Sequence, residues 1–82
     1  MENWQHASGG VYEIRLKGPL DRRWFHRFEG MEIRILPEGE TILLGPVADQ
    51  SALFGILNQI RNIGILLIEV RRVHGVEEEG ES

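Results

Sequence analysis

The stretch GPVADQSALFGILNQIRNIGILLIEV, Gly45 to Val70, holds the side chains best placed to do chemistry. Asp49 stands beside Gln50, with glycines around them and Asn58, Gln59 and Asn62 further along. This pair is either a site or the start of a helix. An aspartate just ahead of a helical apolar series caps the helix by accepting backbone N–H bonds. Leu53, Ile56, Leu57, Ile60 and Ile63 follow at that spacing, and Gly64 is suited to end the turn. Asp49 is therefore expected to be an N-cap, with Gln50 supporting the cap or meeting solvent.

Other groupings carry less. His26 and Glu29 are three apart and could share a metal, but two ligands make a poor site. They also fall opposite Trp24 and Phe28, on the solvent side of their element. His6 and His74 stand apart from them, and Ser8, Ser51 and Ser82 have no base at a suggestive spacing. No Gly-x-Ser-x-Gly elbow and no phosphate-binding glycine loop is present. No catalytic, cofactor-binding or metal-ligating residue is assigned, and no cofactor is expected. Arg22, Arg23 and Arg27, with Arg71 and Arg72, could meet phosphates. That reading ranks last, because the first strand turns Glu13, Arg15 and Lys17 outward rather than aromatics for base stacking.

Composition sets the frame. Eighty-two residues make one small domain, and a hydrophobic fraction of 41% suffices for a folded core. The absence of cysteine rules out disulfides and fits a reducing compartment. The first residues lack the basic region and apolar run of a secretory signal, and no apolar run reaches the ~20 residues of a membrane span. A cytoplasmic protein is expected. The net charge of −4 belongs to the ends. Residues 11–73 hold all nine basic residues against eight acids, whereas Glu2, Glu77, Glu78, Glu79 and Glu81 lie outside. Residues 1–10 are expected to be a flexible tail, 11–73 a single domain, and 74–82 an acidic disordered tail. Trp4 is either a tail residue or an anchor onto the core or a partner.

The elements that must position these residues follow from periodicity. VYEIRLKG alternates, with Tyr12, Ile14 and Leu16 on one side, as in a half-buried strand. In GPLDRRWFHRFEG, Asp21 can cap a short helix, Leu20 and Phe25 are spaced as a hydrophobic staple, and Trp24 and Phe28 share a face. MEIRIL alternates again, with Met31, Ile33 and Ile35 inward. PEGE supplies a turn, and TILLG is apolar on both sides, as a central strand is, until Gly45-Pro46 stops it. After the helix, ILLIEVRRV is a last strand with Leu66, Ile68 and Val70 toward the helices and Ile65, Leu67, Glu69 and Arg71 on the other side.

Strand, helix, strand, strand, helix, strand is the order of an α+β, ferredoxin-like βαββαβ sandwich. Its antiparallel sheet has the order 4-1-3-2, with two helices on one face. A rearranged α+β sheet with one long helix is the alternative. The segments YEIRLKGPLDRRWFHRFEGMEI and TILLGPVADQSALFGILNQIRNIGILLIEVRRV resemble a set of small bacterial proteins labelled uncharacterised. The likeness rests on a Gly-x-Leu-x-x-x-Trp segment (Gly18, Leu20, Trp24) before a Phe-Glu-Gly turn (Phe28, Glu29, Gly30). It continues in a Gly-Pro-x-x-Asp-Gln-x-x-Leu helix start (Gly45, Pro46, Asp49, Gln50, Leu53) and an Ile-Arg-x-x-Gly end (Ile60, Arg61, Gly64). It spans roughly residues 12–73. The resemblance implies a compact stand-alone module and brings no activity, ligand or catalytic residue.

The functional expectation is a non-enzymatic protein-interaction or small regulatory module, acting as a homodimer through its open sheet face. Ile65, Leu67 and Leu43, or Ile42 with Leu44, would form the apolar centre, and Glu13, Arg15, Glu69 and Arg71 the charged rim. The alternatives, in order, are an enzyme or enzyme subunit with a site between chains and a nucleic-acid-binding module. A protein or small-molecule partner is left open, and no membrane association is expected.

Overall fold

A computed structural model of the chain describes residues 9–75. The expectations for Trp4, His6 and the acidic residues 77–81 lie outside them.

Strand β1 (Gly10–Leu16) alternates as its sequence demands, and Ile14 and Leu16 are wholly buried. The short helix expected after Asp21 is a 3-10 helix, Arg22–Phe28. Its capping bonds are tight: Asp21 accepts from the Arg23 amide through its side chain, and from the Trp24 amide through its carbonyl at 2.9 Å. The run ends in extended backbone at Glu29. Strand β2 (Glu32–Ile35) and strand β3 (Thr41–Val47) form a hairpin, with Gly39 at positive φ in its turn. Helix α1 (Gln50–Ile63) closes with Gly64 in the left-handed region, whose amide reaches the Ile60 and Arg61 carbonyls. Strand β4 (Leu67–Gly75) completes the chain.

The four strands pair antiparallel throughout in the order β2-β3-β1-β4. Read from the other edge this is the expected 4-1-3-2. Both helices cover the side on which Ile14, Leu16 and Leu43 point: Phe28 and Ile60 join that cluster, with Trp24, Leu53, Ile56 and Leu57 packed against it. The opposite side of the sheet is open.

Two local expectations need correction. Strand β3 does not stop at Gly45-Pro46 but runs to Val47, with Pro46 opposite Val11. Strand β2 ends its pairing at Leu44, so beyond that residue β3 has a free side, where a proline is tolerated. Gly45 lies under the chain entering β2: a Cβ there would meet the Met31 Cα at 2.9 Å and the Gly30 carbonyl oxygen at 3.0 Å. Thr41, unremarked in the sequence, is wholly buried. Its Oγ1 accepts from the Leu20 amide at 3.0 Å and donates to the Gly18 carbonyl at 2.8 Å, latching the loop after β1 onto β3.

The second correction concerns β4. The ladder with β1 slips by one residue between Arg15 and Leu16, so that Arg15 pairs with Glu69 and Leu16 with Leu67, leaving Ile68 as the extra residue of a bulge. A one-residue slip exchanges the faces of everything beyond it. Glu69 and Arg71 therefore keep the open side, as expected, whereas Ile65 packs against the core and Leu66 turns to solvent.

Candidate interaction surface

The open face is a grid that the register dictates. Directly opposed residues of antiparallel strands share a side. One row across the sheet runs Arg34, Ile42, Arg15, Glu69, and the next Glu32, Leu44, Glu13, Arg71. The carboxylate of Glu13 meets Arg71 at 2.8 Å and Arg15 at 3.7 Å. Arg15 also meets Glu40 at 2.9 Å, and Arg34 meets Glu32 at 2.6 Å. The hydrogen bond that Arg15 donates to Glu40 is the main reason that its guanidinium is held still more firmly in its charged form, and the bond from Arg34 to Glu32 does the same for Arg34.

This grid changes what the open face can bind. Of the anticipated interface residues it gathers Glu13, Arg15, Glu69 and Arg71. It does not gather Leu43, which pairs with Ile14 and is wholly buried, nor Ile65, which packs on the core. Leu67 lies opposite Leu16, on the helix side of the edge. The apolar centre shrinks to Leu44 and to Ile42, only 8% exposed. Exposed ion pairs of this kind add little stability, and covering them with a flat partner costs their hydration.

Apolar surface collects instead at the β4 edge. Leu66, Leu67 and Ile68 are consecutive and exposed to 66%, 40% and 43%. The sequence hid this, because in ILLI every second residue is apolar in either register. The opposite edge is short: β2 has four residues, two of them Glu32 and Arg34, and Pro37 follows. Short, charged, proline-flanked edges resist pairing with other chains, whereas a longer apolar edge invites it. Strand β4 carries two bulges, which blunt its ends, but Glu69 to Arg72 between them pair with Arg15 to Tyr12 without interruption.

The polar candidates take other roles. Asp49 caps α1, its Oδ1 accepting from the Ala52 amide at 2.8 Å. Gln50 is half-buried, and its Oε1 is enclosed without a hydrogen-bond donor among the described residues. His26 and Glu29 are both exposed. Arg23 and Arg27 lie over the Trp24 ring, 5.0 and 4.8 Å from its centroid, so that ring is engaged within the chain. Arg27 also donates to Gln59 at 2.8 Å, tying the 3-10 helix to α1. Phe54 on α1 is a further exposed apolar side chain. Among the described residues no helix is long and apolar enough to cross a membrane.

Sheet, helices and edge define a small α+β domain with one open sheet face. Residues 11–71 match the model of the family described as Domain of unknown function (DUF8691), and the chain belongs to that family. No curated protein and no solved structure matches it.

Proposed function

We propose that this domain is a non-enzymatic protein-interaction module that works as a homodimer in the cytoplasm. Its architecture is read as a ferredoxin-like sandwich, on the strength of the element order and the strand order. The observation that carries the functional reading is the run Leu66, Leu67, Ile68, exposed at the start of an edge strand. A chain this small buries a modest share of its surface alone, and association covers such a run. The absence of cysteine supports the compartment.

Sedimentation equilibrium tests the reading. The wild-type protein should sediment at twice the 9.4 kDa of the chain at tens of micromolar. Leu67→Glu should give a folded monomer, because the site is partly exposed and lies outside the core cluster. A wild-type protein that stays monomeric in that range removes the homodimer.

A further inference from the structure

We infer that two copies join β4 to β4, antiparallel about a two-fold axis midway between the two Val70 residues, into one continuous eight-stranded sheet. The inference rests on the homodimer reading and specifies its geometry. A two-fold axis that leaves two edge strands antiparallel stands perpendicular to the sheet, so both copies present the same face. Opposed residues then come from the same face of their strands, so one residue must stand opposite its own copy across the axis. The uninterrupted segment of β4 offers Glu69, Val70, Arg71 and Arg72 as centres. Centring on Glu69 or on Arg71 sets like charges against each other, and centring on Arg72 leaves Glu69 without a charged counterpart. Val70 alone sets Glu69 of each copy opposite Arg71 of the other.

The existing grid makes that choice self-consistent. Within one chain Glu69 stands opposite Arg15, and Arg71 opposite Glu13. Among the described residues Glu69 makes no ion pair, whereas Arg71 is bonded to Glu13 at 2.8 Å. Across the axis the row would read Arg15, Glu69, then Arg71 and Glu13 of the second copy, alternating in sign. Strand addition of this kind draws its affinity from main-chain bonds and its register from side chains. Here the register comes from two symmetric Glu–Arg pairs, with Leu67 and Ile68 flanking them.

Charge complementation provides the test. Glu69→Arg alone sets two basic residues against each other at both pairs, and Arg71→Glu alone sets two acids. Both positions are exposed, so each variant should fold, as circular dichroism would check. Each alone should dimerise at least tenfold more weakly than wild type, and the equimolar mixture should recover a heterodimer near wild-type affinity. A Val70→Cys variant gives a second readout, since the chain has no native cysteine. Its two copies would lie about 4.5–5.5 Å apart at Cα, within disulfide reach, and should cross-link on oxidation. Ile68→Cys copies would be four strand positions apart, roughly 13 Å, and should not. If wild type dimerises but the single variants do so equally well, or the mixture fails to recover, the register is overturned and the homodimer reading stands. A monomeric wild type overturns both.

Discussion

Thr41→Val keeps the shape of a wholly buried side chain and removes its hydroxyl. Two bonds go with it: the one accepted from the Leu20 amide at 3.0 Å, and the one donated to the Gly18 carbonyl at 2.8 Å. The Leu20 amide is buried, so losing its acceptor carries a desolvation cost of about 1–3 kcal/mol. The Gly18 carbonyl is partly exposed and can turn to water, so its loss is about 0.5–1.5 kcal/mol. Releasing a buried hydroxyl returns part of this, leaving a net loss of about 2 kcal/mol. For a domain of this size that is a large share of total stability and lowers Tm by about 8–16 °C. Urea unfolding followed by far-UV circular dichroism measures it, as a shifted midpoint at unchanged slope. Thr41→Ser keeps both bonds and loses a methyl group, for about 0.8 kcal/mol. Valine should therefore be worse than serine. If serine is the worse of the two, or valine lies within about 0.5 kcal/mol of wild type, Thr41 acts by packing and the latch is not what holds the loop.

Asp49→Ala should cost about 0.5–2 kcal/mol, because the Ala52 amide loses its acceptor, and thermal unfolding would show it. Gly45→Ala should cost about 1–3 kcal/mol, since the new methyl group meets backbone at Met31 and Gly30 rather than a movable side chain; a neutral change by urea titration would contradict that close approach. Gln50→Met removes an enclosed, unbonded amide oxygen and should leave the protein as stable as wild type or more so, whereas a clear loss in calorimetry would mean that the oxygen has a donor.

Where the hydrophobic period runs unbroken, side-chain placement was legible. Ile14 and Leu16 alternate with Glu13 and Arg15, and Asp49 and Gly64 bracket an apolar helical stripe, so β1, α1 and the strand order followed from pattern. Legibility failed where one residue changed the parity. The bulge at Ile68 sits inside a run in which every residue is apolar, so neither register left a signature, and Ile65 and Leu66 exchanged sides. Gly45-Pro46 reads as a stop only if β3 is paired on both sides there, and β2 is too short for that. The latch at Thr41 was invisible for another reason: a threonine opening a strand needs no further role, and its two partners are distant in sequence. The candidate surface inherited these errors. Its charged half, Glu13, Arg15, Glu69 and Arg71, lay beyond the slip and came together, while its apolar half moved to the edge.

Amide hydrogen exchange read along β4, below and above the concentration of half-association, tests the edge-to-edge homodimer most directly. Association through this edge predicts that protection rises with concentration in the segment around Glu69 to Arg72, while the β2 edge, Glu32 to Ile35, stays unchanged. A concentration-dependent rise at β2 with none at β4 would contradict the account.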